Sequence, residues 1–313
     1  MLRFLAGRLS VFVPTLVLAS ILVFGLTYMV PGDPAVLIAG DYASPERITQ
    51  IRADLGLDEP FLERFWSWLT AVVHGDFGTS LFTGEPVKEA VMRALPATLQ
   101  LVALSLIVAL IFGGLFGLLS SLPRREGVRG FADTLSSIAV AVPNFWLGML
   151  LMSVFALKLG WFPATGYTSV WADPVRGLQQ SLLPALALGL AGGAEIAKQL
   201  SASTRSVLRE DFVRTGRSKG MGPVALTVRD VLPTASIPPI TTFGVLAART
   251  VGATVAVEVV FGIPGLGSLI VKSATERDIP ILQGVVLILA VVVLLTNVAV
   301  DLAYRALDPR IRL

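Results

Sequence analysis

The chain has no cysteine and a single histidine in 313 residues. Without thiols there is no disulfide, no thiolate metal centre and no cysteine nucleophile. His74 stands alone, so neither a histidine-rich metal cluster nor a Ser-His-Asp arrangement can be built around it. Charge is scarce as well: Asp, Glu, Lys and Arg make up 15% of the residues, against about a quarter in an ordinary soluble domain. No Gly-x-x-x-x-Gly-Lys-Ser/Thr occurs, which excludes a phosphate loop, and Gly216-Arg-Ser-Lys-Gly220 has the wrong spacing to be one. No His-Glu-x-x-His occurs either, and no other grouping of nucleophile, base or metal ligands suggests an enzyme. A clear internal repeat, common in ion-coupled secondary transporters, is also missing. That leaves an ion-coupled transporter as the weaker alternative to the reading below.

What the chain has is hydrophobic length. Apolar residues are 54% of the total and mean hydropathy is +0.76. Charge-free runs lie between Arg8 and Asp33, Arg93 and Arg124, Asp133 and Lys158, Arg176 and Glu195, Asp230 and Arg249, and Asp278 and Asp301. The shortest encloses 18 residues and the longest 30. A bilayer core needs about 20 apolar residues in a helix, within a range of about 17–25. Inside lipid no water satisfies the backbone, so helices are the form such runs take. The expectation is an all-α integral membrane protein with six transmembrane helices over residues 9–31, 96–121, 134–157, 179–198, 234–257 and 280–302. The first run is too long for the core of a signal peptide and leads into Pro31-Gly-Asp-Pro34 without a convincing cleavage site; it is read as a retained helix.

Basic residues orient the spans. With the N-terminus inside, the inner segments hold 15 of the 25 Lys and Arg. The first outer segment is acidic, with ten Asp and Glu between Asp33 and Glu89. Both termini are therefore expected in the cytosol. The net charge of +3 becomes a topology signal that requires membrane lipid and no nucleic-acid partner.

Two extramembrane segments stand out. Residues 32–95 form an extracytoplasmic insertion. Ser44-Pro-Glu46 reads as a helix start with Ile48, Ile51 and Leu55 on one face and Gly56 as its stop, and Phe61 to Val73 as a second amphipathic helix. The insertion is either a cap on the helix ends or a docking surface for an extracytoplasmic partner. Residues 201–233 form a basic cytosolic loop. Val207, Leu208 and Phe212 mark one apolar face, Gly220 ends that helix, and Gly222-Pro223 starts another with Val224, Val228, Val231 and Leu232 at helical spacing. The charge alone would suit a positive-inside loop on anionic lipid; the paired helices and glycine joint suit docking on another protein.

Charge at membrane depth is the remaining signal. Arg249 interrupts the fifth span about 12 Å from its expected outer end, at 1.5 Å per residue. It either lines a pathway, where it would meet a substrate carboxylate or an acid from another helix, or snorkels to the interface. Asn144, beside the kink expected at Pro143, is a second pathway candidate. Glu195 with Lys198, and Asn297 with Asp301, read as structural pairs near the inner boundary.

These landmarks resemble a known family. Gly220, nine residues, then Asp230-Val-Leu-Pro233 is similar to the loop that ABC-importer permeases insert into their ATPase subunits. Arg214-Thr-Gly216 stands where that family has Glu-Ala-Ala, and Asp230 where it has Ile, so Gly220, Leu232 and Pro233 are the literal matches. Arg214-Thr-Gly-Arg-Ser-Lys-Gly220 is closer to the version in peptide permeases. So are Pro31-Gly-Asp-Pro34, Gly75-Asp-Phe-Gly-Thr-Ser80, Leu95-Pro-Ala-Thr-Leu99, Pro143-Asn-Phe-Trp-Leu-Gly148, Glu258-Val-Val-Phe-Gly-Ile-Pro-Gly-Leu-Gly267 and Asp308-Pro-Arg-Ile-Arg312. The chain resembles the B-type permease subunit of dipeptide/oligopeptide/nickel-type ABC importers over nearly its whole length.

The resemblance implies a type I importer permease fold, one permease domain over residues 1–313, in a bacterial inner membrane. It implies a homologous C-type permease as partner in a heterodimer, two ATPase subunits, and an extracytoplasmic substrate-binding protein. ATP and Mg would be held by the ATPase subunits, with no cofactor and no enzyme activity on this chain. Arg214, Thr215, Gly216, Arg217, Lys219, Gly220, Leu232 and Pro233 would carry the coupling. Peptides are the expected cargo; nickel chelates, glutathione and saccharides are the family's other solutes.

Overall fold

The computed structural model describes residues 2–29, 34–39, 43–54, 56–121 and 126–307. Those residues are helical apart from turns, loops and one isolated antiparallel bridge, Thr79 with Pro86. The helices are α1 (Leu2–Met29), α2 (Pro34–Ala39), α3 (Pro45–Asp54), α4 (Phe61–Val73), α5 (Val87–Ser121), α6 (Glu126–Ala141), α7 (Asn144–Leu151), α8 (Pro174–Val207), α9 (Asp211–Ser218), α10 (Pro223–Leu226), α11 (Leu232–Ala235), α12 (Ile237–Phe261), α13 (Leu266–Glu276) and α14 (Ile279–Leu307). Wider π-helical turns extend α7 over Met152–Lys158 and join α10 to α11 over Thr227–Val231. Among the described residues four helices are long and apolar enough to cross a membrane: α5, α8, α12 and α14. A fifth candidate is the bent pair α6–α7, while the apolar part of α1, Ser10–Gly25, is shorter.

The bend follows from one residue. Pro143 has no N–H to donate and pushes the residue before it away from helical backbone. α6 therefore closes with Val142 donating to Ile138 (3.2 Å), and α7 opens with Leu147 donating to Pro143 (3.0 Å). The two axes differ by 106°. The kink expected in the third span is a full break.

The chain divides into two units, Met1–Pro96 with Ser268–Leu294, and Ala97–Gly267 with Leu295–Leu313. In the first, Ser44 caps α3 by accepting from the Arg47 N–H at 3.3 Å, and Gly56 stops it at φ +60°; Leu55 lies outside the described residues. The Ser44 hydroxyl and the α3 backbone lower the pKa of Glu46, the backbone contributing more. α4 has the expected bounds and buries Phe65. Phe24 of α1 sits among Phe61, Phe65 and Trp68 at centroid distances of 5.4, 5.6 and 5.4 Å. Past α4, Arg93 grips Glu85 through both guanidinium nitrogens (2.6 and 3.0 Å), and that hydrogen bond holds the Glu85 carboxyl below its ordinary value. Buried Asp278 accepts from the Ser80 hydroxyl and the Leu81 N–H, which ties the 79–86 turn to the start of α14.

The second unit is built around α8. Asp173 caps its start by accepting from the Arg176 N–H (3.1 Å), with Pro174 in the first turn. Small residues let its neighbours come close. A methyl on Gly189 would lie 2.5 Å from the Ser105 carbonyl of α5, and one on Gly193 would lie 2.9 Å from that of Ala109. From the other side, a methyl on Gly113 would strike Ile196 at 2.6 Å, and on Gly192 the Leu246 side chain of α12 at 2.5 Å. Lipid tails are as apolar as the side chains, so such close approach is a main source of helix association in a membrane. The core nearby joins Leu101 of α5 and Leu183 and Leu188 of α8 to Val257 and Phe261 of α12.

This packing separates glycines that must be glycine from those that need not be. Gly189→Ala should destabilise the protein by about 2 kcal/mol through overpacking against backbone. Gly114→Ala, which meets nothing within 4 Å, should be neutral or stabilising. Denaturant unfolding in mixed micelles of the two variants beside the wild type reads the difference.

Candidate functional site: the cytosolic helix pair and the mid-span cavity

The basic loop folds as a helix pair with its own core. Val207, Val213, Leu226, Val231 and Ala235 are buried together, with Leu208 and Met221 against them. The stripe read from the sequence is shifted. Val207 and Val231 are buried as expected, but Val213 is buried where Phe212 is exposed, and Leu226 is buried while Val224 and Val228 are 75% and 60% exposed. The π-helical turns over Thr227–Val231 explain the second displacement, because a wider turn breaks the 3.6-residue period on which the stripe was based.

Gly220 makes the joint. The Met221 N–H donates to Gly216 (3.2 Å) and the Gly220 N–H to Arg217 (3.0 Å), with Gly220 at φ +77°. This is the six-to-one and five-to-two pattern of a Schellman cap, which favours glycine at that position. Met221, which follows Gly220, packs on the small core, and Gly216 is buried so closely that a methyl there would meet Leu226 at 2.6 Å and the Met221 sulfur at 3.5 Å. At Gly220 itself a methyl would meet nothing within 4 Å. A side chain at Gly220 would therefore strain the backbone without clashing with a neighbour.

The remaining loop candidates face outward. Arg214, Arg217 and Lys219 are exposed, and Arg214 makes only a surface ion pair with Asp211 at 3.5 Å. Thr215 donates its hydroxyl to the Asp211 carbonyl at 3.0 Å. Leu232 is half-buried and Pro233 exposed, both in α11. The helix pair thus exposes three cations and the apolar side chains of Phe212, Val224 and Val228.

Arg249 and Asn144 meet at a different place. A cavity of about 320 Å³ in the second unit is lined by Pro143, Asn144, Leu188, Gly192, Glu195 and Arg249, among others. Arg249 donates to Glu195 of α8 at 3.2 Å. Of the partners the sequence left open for Arg249, the acid from another helix is the one present. Glu195 thus pairs across helices, where Lys198 on its own helix had been expected. Because α12 runs to Phe261, Arg249 is its middle residue, about 18 Å from either end at 1.5 Å per residue.

Nor is Arg249 alone at depth. Glu258 of α12 is fully buried and accepts from the Thr98 hydroxyl at 2.7 Å, and that hydroxyl accepts from the Leu266 N–H at 2.8 Å. Methyls on Gly265 or Gly267 would strike the Glu258 carboxylate. In the sequence Glu258 was only the first letter of a landmark; the two glycines after it were the trace of its packing. Among the described residues no group of three or more His, Asp or Glu could hold a metal ion.

Among the described residues, four helices of membrane length and a basic helix pair between two of them define a multi-pass membrane protein. Residues 109–313 match the model of the binding-protein-dependent transport system inner membrane component family, and residues 1–102 match its N-terminal part. The chain belongs to that family, the multi-pass inner-membrane permeases of ABC importers, as its landmarks led one to expect. It is 38% identical over 312 residues to the glutathione transport system permease protein GsiC of Salmonella paratyphi A, covering 100% of this chain and 99% of that one. It is 34% identical over 305 residues to a Brucella abortus protein named as a peptide transport system permease, with 97% of each covered. The fold is similar to that of a solved chain of the MetNI methionine ABC transporter in an inward facing conformation (TM-score 0.56, 16% identity), covering 70% of this chain and 96% of that one.

Within the helix pair the two glycines should behave oppositely. Gly216→Val should open the small core and raise amide hydrogen exchange across 211–235. Gly220→Ala should cost about 1 kcal/mol of local backbone strain and leave most of that protection in place. Hydrogen–deuterium exchange of the two variants in detergent reads this directly.

Proposed function

We propose that this chain is one half of the translocation pathway of an ATP-driven peptide importer, and that the helix pair around Gly220 is where it engages the ATPase. Six spans place both termini in the cytosol, with α1 and the broken pair α6–α7 supplying the two that length alone leaves short or bent. A homologous C-type permease completes the pathway, two ATPase subunits hold ATP and Mg, and an extracytoplasmic protein delivers the cargo. Small peptides are the solute class best supported, since relatives are named for peptide and for glutathione transport, and glutathione is itself a tripeptide.

The observation that carries the coupling role is the composition of the helix pair's outer surface. Its fold is satisfied internally by a Schellman cap and a five-residue core. Yet it leaves Phe212, Val224 and Val228 exposed, as it does Arg214, Arg217 and Lys219. Apolar anchors ringed by charge are the usual make-up of a protein–protein contact. A loop that only met anionic lipid headgroups would need the cations and not a separately packed pair of helices. ATP-driven closure of the ATPase dimer would move this pair as a unit, and α8 and α12, which flank it in sequence, would transmit the motion to the spans.

Affinity purification of the chain from its native membrane tests this, with Gly220→Glu and Arg217→Glu run in parallel. The wild type should bring down a second permease and ATPase subunits. Both variants should keep the permease and lose the ATPases. Recovery of the wild-type chain alone, or ATPases retained by both variants, would refute the assignment.

A further inference from the structure

Two features that arise separately converge on the cavity of the second unit. One is the Glu195–Arg249 pair. It sits at the middle of α12, with 63% of the Arg249 side chain and 32% of that of Glu195 still open. A charged group at that depth faces a bundle interior or a water-filled space, because hydrocarbon does not tolerate it. The other is the break at Pro143. Non-helical backbone at membrane depth persists only where it is buried in protein or lines a watery cavity, and Val142, Pro143 and Asn144 lie on the wall of this one. At the break, the first N–H of α7 to find a helical acceptor is that of Leu147, so those ahead of it have none within the helix. The Asn144 side-chain amide hydrogen-bonds none of the described residues. One cavity of about 320 Å³ thus holds a guanidinium, a carboxylate, a free amide and the positive end of a half-helix.

We propose that Glu195, Arg249 and Asn144 form a transit site for the two charged ends of a free peptide. The proposal rests on the importer reading and names where, within the pathway, its cargo is recognised. Arg249 takes the peptide carboxylate in a two-point hydrogen bond, for which a guanidinium is shaped. Glu195 takes the ammonium, and Asn144 bonds the amide or carboxylate oxygen that comes to rest at the α7 end. In the empty state the two side chains neutralise each other, so no lone charge stands at mid-membrane. A zwitterion replaces one ion pair by two and keeps the site neutral throughout. A peptide with one blocked end leaves one of the two protein charges unmatched, and one with both ends blocked gives nothing in exchange for the pair it must part.

The test is equilibrium binding of radiolabelled dialanine to the full chain in lipid nanodiscs, beside dialanine amide, N-acetyl-dialanine and the doubly blocked N-acetyl-dialanine amide. The wild type should bind dialanine about ten-fold more tightly than the doubly blocked form. Arg249→Gln should remove the preference for a free carboxylate while keeping that for a free ammonium, and Glu195→Gln should do the reverse. If the wild type does not distinguish the four probes, the proposal is overturned without recourse to any variant. It is also overturned if both variants weaken every probe alike, since the pair is then only a brace between α8 and α12. ATP-driven uptake by the assembled transporter is read separately. Uptake intact with no discrimination in binding removes the site alone, whereas loss of ATP dependence in the wild type removes the importer reading beneath it.

Discussion

Backbone-to-backbone approach at α8 is the constraint on which the second unit depends. In water a helix of this length would be held by burying an apolar face, but in lipid that drive is gone and close contact must replace it. Gly189 and Gly193 admit α5 as far as its Ser105 and Ala109 carbonyls, and Gly192 admits Leu246 of α12. From that packing the rest follows. Glu195 is three residues beyond Gly192 and is delivered to Arg249 across the same seam. The far end of α8 supplies Val207 to the core of the cytosolic helix pair. One helix therefore carries the mid-span charge at one point and anchors the basic loop at another.

Buried polar groups are handled by the same economy of small residues. Glu258 is held by the Thr98 hydroxyl while Gly265 and Gly267 fold back over its carboxylate. Ile263 donates to the Glu258 carbonyl at 2.9 Å and Gly262 adopts φ +61°, so α12 ends in a capped turn that presses its own loop onto its own acid. Asp278 does the equivalent in the first unit with Ser80 and Leu81. A polar group removed from water is tolerable when its hydrogen bonds are made, and each of these acids has partners from distant sequence. They fix where chain segments meet; the open pair, Glu195 with Arg249, is the one whose surface remains free to meet something else.

Local chemistry was legible in the sequence, and pairing across helices was not. The bounds of α4, the glycine that stops α3, the joint at Gly220 and the interruption at Pro143 all follow from residues within one or two turns of each feature. The membership of the chain in the ABC-importer permeases was legible because its landmarks are contiguous motifs. What escaped was of two kinds. Val224 was placed on a buried face that belongs to Leu226, since the π-helical stretch after Leu226 shifts the period; Phe212 was placed where Val213 is buried, since α8 ends at Val207 and a new helix starts at Asp211, which breaks the period read through Val207, Leu208 and Phe212. Glu195 was matched to Lys198, three residues on along the same helix, because its true partner is 54 positions away. The severity of the bend at Pro143 was likewise hidden: proline states that a helix is interrupted and leaves the angle to tertiary packing.

On the proposed coupling, transport through this chain is driven by ATP bound elsewhere and transmitted through the helix pair. The most direct measurement is solute uptake into liposomes holding this chain with its permease and ATPase partners, with the binding protein supplied on the extracytoplasmic side and small peptides as cargo. ATP-driven coupling requires accumulation that needs ATP on the ATPase side and persists when proton and sodium gradients are collapsed. Uptake that proceeds without ATP and follows an imposed ion gradient would contradict it.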